Sequence, residues 1–258
     1  MQITKLALPK GEIDVIDVGE GPTVLFLHGA GGLSQCLPFV GKLAETSRVI
    51  APVHPGFDGT ATPLWLDTID DVAYLYTDLL DALVTGPVDV VGFSLGGWIG
   101  LELGIRARER IRSLTLVAPP GMSADGVEIP DYFLWDGEQR LVNLFHDKDL
   151  ARRLLSAPVT DAEEARRIQN FNALAKLVWS PRWHSPRLEK WCHRLSMPVH
   201  LIWGENDALF PPAIGESHVA RLPDARLSLV PECGHLLHVE QFDRLCELVG
   251  GTLSEVRS

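Results

Sequence analysis

An α/β fold built around a mostly parallel sheet is the class this sequence predicts, from three observations. Short β-branched or apolar runs alternate with stretches of helical periodicity, the pattern of parallel strands joined by crossover helices. Glycine-rich turns follow two of those runs at their carboxyl ends, where ligand sites of open α/β sheets form. One long segment interrupts the alternation with helical, charged sequence.

Taken along the chain, "GEIDVIDVG" (11–19) alternates with period two and is read as an antiparallel strand at one edge of the sheet. The runs "TVLFLHG" (23–29) and "SRVIAP" (47–52) are the next strands. Val72, Leu75, Tyr76, Leu79, Leu80 and Leu83 then recur at helical spacing with acids opposite, so this helix covers one face of the sheet. Thr68 followed by Asp71 has the spacing of a capping pair and places the helix start near residue 68. Four further strands are predicted at "VDVVGF" (88–93), "SLTLVAP" (113–119), "VHLIWG" (199–204) and "RLSLVP" (226–231).

From Pro119 to about Pro198 strand signals vanish and charge density rises. Helical stretches "EQRLVNLFHDKDLARRLL" and "DAEEARRIQNFNALAKLV" appear there, with Trp135, Trp179, Trp183 and Trp191. An insertion of this length between two strands predicts a lid, because long connections without function are uncommon. The expected division is a core of residues 1–119 and 198–258 carrying a helical cap at 120–197.

Composition narrows the function classes. A chain of 258 residues with 46% hydrophobic content can supply one substantial core. Its formal charge of −11 repels phosphate backbones and anionic lipid, which argues against nucleic-acid and membrane partners; the expected partner is a small-molecule substrate. The opening "MQITKLALPKGEIDV" lacks the apolar run of a signal peptide, and no segment has the length of a bilayer span, so a cytoplasmic location is expected. Cys36, Cys192, Cys233 and Cys246 are scattered without a CxxC pair, which predicts reduced, mostly buried thiols. The nine histidines include no HxH or HxxxH pair with carboxylate support, so no metal site is expected. Isolated apolar residues name no oligomer interface.

The chemistry concentrates in "VDVVGFSLGGWIG" (88–100). Gly92, Phe93, Ser94, Leu95 and Gly96 match Gly-x-Ser-x-Gly between a strand and a helix, a turn that holds a serine strained and exposed above the sheet. A serine is a weak nucleophile alone and needs a base, an orienter for the base, and donors for the oxyanion. "LIWGENDALFPP" offers Asp207 after one strand, with Glu205 as a competitor, and "VPECGHLLHVEQF" offers His235 after the last, with His238 as a competitor. "LFLHGAGG" places Gly29, Ala30 and Gly31 after a strand, so the N–H of Ala30 or Gly31 can join that of Leu95 in an oxyanion hole. Gly29, Gly31 and Phe93 are the expected substrate contacts, while His28 and His54 are read as hydrogen-bonding partners of loop backbone.

With those residues the sequence resembles the α/β-hydrolase superfamily of serine hydrolases along almost its whole length. The resemblance rests on HGxG at 28–31, "HPGFDG" at 54–59, GxSxGG at 92–97, Gly204 to Asp207, and Gly234–His235. It implies an eight-stranded sheet, a helical cap after the sixth strand, an acyl-enzyme mechanism and no cofactor. Two positions depart from the family pattern. Asp58 stands where relatives often have glycine, and Leu236 follows His235 where carbon–carbon bond hydrolases of ring-cleavage products commonly show tryptophan.

The expected function is hydrolysis of a small hydrophobic carboxylic ester or lactone, with Ser94 as nucleophile, His235 as base and Asp207 as orienter. Free histidine titrates near 6.5, so the rate is expected to rise from acidic pH and flatten above about 7. A carbon–carbon bond hydrolase is the alternative enzyme reading. It needs a cationic anchor, for which Arg152, Arg153 and Arg187 are the candidates. A small-ligand receptor that retains the hydrolase pocket is the reading from another class.

Overall fold

The apolar runs become strands where both of their faces are covered. In the computed structural model, which describes residues 1–258, the strands are β1 (Ile3–Leu8), β2 (Gly11–Val18), β3 (Thr23–Leu27), β4 (Arg48–Pro52), β5 (Val88–Phe93), β6 (Ile111–Val117), β7 (Val199–Gly204) and β8 (Ala225–Val230). They form one sheet in the order β1-β2-β4-β3-β5-β6-β7-β8. Every residue of β5 and β7 is buried, whereas β1 and β8, at the two edges, alternate or face solvent. Pairing is antiparallel for β1 with β2 and for β2 with β4, and parallel across the rest.

One expectation is corrected. The 11–19 segment is antiparallel but lies second from the edge, because "ITKLAL" pairs outside it with Ile3 opposite Ile16. That outer strand leaves Ile3 53% exposed and carries too little buried apolar sequence to announce itself.

The helices are α1 (Leu37–Leu43), α2 (Ile69–Leu83), α3 (Leu95–Arg106), α4 (Gly137–Leu144), α5 (Lys148–Leu155), α6 (Asp161–Val178), α7 (Pro186–Trp191), α8 (Pro212–Arg221), α9 (Leu237–Glu240) and α10 (Phe242–Arg257). Thr68 caps α2: its hydroxyl accepts from the Asp71 N–H, and the Asp71 carboxylate accepts from the Thr68 N–H in return. The buried stripe of α2, including Val72, Tyr76, Leu79 and Leu80, packs against α3.

The chain steps from β3 to β4 in one direction along the sheet, then from β4 to β5 and β6 in the other. With right-handed crossovers, that reversal puts α1 on one face and α2 and α3 on the opposite one. It also opens a crevice between the carboxyl ends of β3 and β5, which lie level in register with Leu27 beside Gly92. Between β6 and β7 the chain carries α4 to α7 and no strand, only an isolated bridge from Gly121 to His184. No helix is long and apolar enough to cross a membrane.

Candidate active site

β5 ends at Phe93 and α3 begins at Leu95, so Ser94 alone makes the turn between them. Its backbone sits at φ 47° and ψ −110°, a region that costs a residue with a side chain about 1–3 kcal/mol. The turn is pinned by the Ser94 N–H, which donates to the Val117 carbonyl at 2.7 Å. It closes only because Gly92 and Gly96, two residues to either side, lack side chains. A Cβ on Gly96 would lie 2.1 Å from the Leu27 carbonyl oxygen and 2.6 Å from that of His28, both rigid backbone atoms. Gly96→Ala is therefore expected to destabilise the protein by about 3–5 kcal/mol, read as a lowered urea midpoint; an unchanged midpoint would contradict this packing.

The strand ends bring the other two residues to the same place. His235 Nε2 lies 3.0 Å from Ser94 Oγ, and His235 Nδ1 lies 2.7 Å from Asp207 Oδ2. The second Asp207 oxygen accepts from the N–H groups of Leu209 and Phe210, each at 2.9 Å. This buried carboxylate can only accept, so Nδ1 carries the proton and Nε2 is left to accept from the serine. Glu205 is exposed and takes no part. His238 is half-buried and packs its ring on Phe93 at 5.3 Å between centroids, and burial with the neighbouring His235 lowers its pKa to about 4.

The turn after β3 lies over the serine. A Cβ on Gly29 would approach the Phe93 carbonyl oxygen to 3.4 Å and Ser94 Cβ to 3.7 Å. The Leu95 N–H is the first donor of α3 and has no acceptor within the helix, and the Ala30 N–H also lacks a partner. Both are available to an oxyanion. His28 and His54 hold the base of this turn: His28 Nδ1 donates to the Gly29 carbonyl at 2.7 Å, and His28 Nε2 accepts from the His54 N–H at 2.9 Å. His54 Nε2 donates to the His28 carbonyl at 2.8 Å, so its Nδ1 accepts from the Tyr76 hydroxyl. Burial pushes the His28 pKa down to about 4 and that of His54 well below its ordinary value, which keeps the network neutral.

The remaining expected contacts separate. Gly31 turns its carbonyl to the side chain of Asn170 in α6 at 3.0 Å. Phe93 is 3% exposed, with its ring packed on Phe26 and Phe39, a core position rather than an open wall. Of the lid tryptophans, Trp179 and Trp191 are exposed, while Trp183 is buried and meets Phe210 edge-on at 5.2 Å. Phe210 in turn meets His235 at 5.3 Å, so an aromatic path runs from the lid to the imidazole. Arg152, Arg153 and Arg187 are 63%, 66% and 81% exposed and pair with Asp149, Asp147 and Asp70, so none of them supplies a cation at this site. All four cysteines are free; Cys36, Cys192 and Cys233 are buried and Cys246 is half-buried.

Three groups without a signal in the sequence tie the inserted helices to these loops. Glu240 accepts from the Gly234 N–H at 2.7 Å with one oxygen and from the Asp147 N–H at 2.8 Å with the other. The Leu144 carbonyl accepts from the His235 N–H at 2.8 Å. Asn170 does the same for the turn after β3. The bonds from Glu240 to Asp147 and from Asn170 to Gly31 each span more than ninety residues, so neither contact leaves a local sequence signal.

A protein-family model for the alpha/beta hydrolase family matches residues 24–248. Among curated proteins, the chain is 29% identical over 252 residues to a pimeloyl-[acyl-carrier protein] methyl ester esterase of Nitrosomonas europaea, covering 89% of this chain and 96% of that one. It is 27% identical over 271 residues to a 2-hydroxy-6-oxo-6-phenylhexa-2,4-dienoate hydrolase of Burkholderia cepacia, covering 94% and 92%. Among solved structures, a meta-cleavage product hydrolase of Pseudomonas fluorescens superposes with a TM-score of 0.77 at 22% identity, over 98% of this chain and 97% of that one. A naproxen esterase of Bacillus subtilis superposes with a TM-score of 0.76 at 18% identity, over 98% and 91%. The serine on its strained turn, the imidazole and carboxylate in series with it, and the match along most of the sequence make this chain a member of the alpha/beta hydrolase family.

Proposed function

We propose that the protein hydrolyses a small hydrophobic carboxylic ester or lactone through an acyl-enzyme. The observation that carries this reading is the unbroken series Ser94 Oγ, His235 Nε2, His235 Nδ1, Asp207 Oδ2 at 3.0 and 2.7 Å. Ser94 Oγ attacks the acyl carbonyl carbon as its proton passes to His235 Nε2, and Asp207 stabilises the imidazolium. The carbonyl oxygen takes the negative charge and accepts from the N–H groups of Leu95 and Ala30. His235 then gives its proton to the departing alcohol oxygen. Water repeats the sequence on the acyl carbon and returns Ser94 to the free enzyme.

Phe210, whose ring meets the imidazole, and Trp183 packed behind it make the surroundings of His235 apolar, which favours an apolar substrate portion over a charged one. The 29% identical relative is named as an esterase, in keeping with this reading. A carbon–carbon bond hydrolase is disfavoured by the outward placement of Arg152, Arg153 and Arg187 and by Leu236 after the histidine.

A series of nitrophenyl esters from acetate to decanoate tests the reading. Repeated turnover with a maximum at short to medium chain length is expected. Release of a single equivalent of nitrophenol, followed by a stable acyl-protein, would instead indicate a receptor that keeps the fold.

A further inference from the structure

Asp58 ends its turn in a backbone conformation that is costly for a residue with a side chain. It holds φ 48°, a conformation suited to glycine. Its carboxylate accepts from the Ser34 N–H at 2.9 Å and the Ser34 hydroxyl at 3.1 Å, just beyond the glycine turn. It also lies close over Gly32, where a Cβ would come within 2.2 Å of Asp58 Oδ1.

The lid meets this carboxylate from the other side. Asn170, on α6 and 5% exposed, accepts from the Asp58 N–H at 2.8 Å through Oδ1. Its Nδ2 donates to the Gly31 carbonyl at 3.0 Å and approaches Asp58 Oδ1 at 3.5 Å. The amide orientation follows from its partners, because a backbone N–H only donates and a carbonyl only accepts. Each end of the turn is thus fixed by a different part of the molecule. At the inner end the Gly29 carbonyl accepts from His28 Nδ1 and from the Gly32 N–H at 3.1 Å. At the outer end the Gly31 carbonyl is held by the lid alone.

We propose that Asn170, acting with Asp58, is a positioning residue through which the lid sets the Ala30 N–H for oxyanion binding. The inference rests on the hydrolytic reading of Ser94. Gln169, its neighbour on α6, supplies the control, since its Nε2 ties the same helix to the core at the Thr60 carbonyl and touches no part of the glycine turn.

The experiment measures ester kinetics and the rate of Ser94 labelling by a fluorophosphonate, whose phosphoryl oxygen occupies the oxyanion position, in the parent protein and in Asn170→Ala, Asp58→Gly and Gln169→Ala. For the first two variants, kcat and the labelling rate are expected to fall together by about tenfold to a hundredfold, as a small misplacement of a catalytic group does, with KM within about twofold of the parent. Asp58→Gly also relieves a strained backbone, so its Tm is expected to stay near that of the parent, separating loss of position from loss of fold. Gln169→Ala is expected to label at the parent rate. Parent-like labelling by Asn170→Ala and Asp58→Gly, or an equal fall in Gln169→Ala, would overturn the inference and leave the hydrolase reading standing. A parent protein that neither turns over esters nor labels at Ser94 would overturn both.

Discussion

Ser94→Ala is expected to lower kcat on an activated ester by about 10⁴- to 10⁶-fold with the fold intact, the range seen when a nucleophile is removed from a triad that acts as a unit. Asp207→Asn should come close to it, at about 10⁴-fold, and the structure says why. Asp207 Oδ1 accepts from two backbone N–H groups, at Leu209 and Phe210. An asparagine must leave its carbonyl oxygen there and turn its NH₂ toward His235 Nδ1. That face of the imidazole must then be bare, which moves the proton to Nε2 and leaves nothing to accept from Ser94. Steady-state kinetics with burst analysis checks both variants; a loss under tenfold in Asp207→Asn would mean that the carboxylate does not set the tautomer. Ser94→Gly adds a reading from stability. It removes the nucleophile but suits φ 47°, so it should gain about 1 kcal/mol in urea unfolding while losing turnover.

What the sequence made legible follows the range of the forces involved. Gly92 and Gly96 around Ser94 are a local steric requirement of one turn, so the turn can be read from five residues. Asp207 and His235 are legible because each follows a strand, and strand ends at the carboxyl edge of a parallel sheet converge on one crevice. The resemblance of the Gly204 to Asp207 turn selects Asp207 over Glu205, and the structure gives the physical difference, burying one and exposing the other. Asn170 and Glu240 look like ordinary polar positions of helices until the lid is folded onto the core. Arg152, Arg153 and Arg187 are candidates by charge alone, and charge does not say which way a helix faces. Trp183 separates from the other lid tryptophans only by burial, a property of the packed lid rather than of the sequence around it.

A second large effect is expected from acid. His28 and His218 are fully buried, and burial lowers each pKa to about 4, while burial and the neighbouring His28 hold His54 well below its ordinary value. An unfolded chain protonates the same residues near pH 6.5. Between about pH 6.5 and 4 the unfolded state therefore binds more protons than the native state, and stability falls as pH is lowered through that window. His218 costs the native state roughly 3 kcal/mol at pH 4 relative to neutral pH, and His28 costs it stability over the same window. His54 adds to the loss in the same direction. Single domains are stable by only about 5–15 kcal/mol, so unfolding is expected above pH 4, before most carboxylates have taken up protons. Urea midpoints followed by tryptophan fluorescence from pH 8 to 4.5 check this, and constant stability across that range would contradict the neutral, buried state of these histidines. His218→Asn isolates one contribution. An amide can still donate to the Ile214 carbonyl, which lies 2.7 Å from His218 Nδ1, but it takes up no proton, so the slope should flatten by up to about 1.4 kcal/mol per pH unit below 6.5.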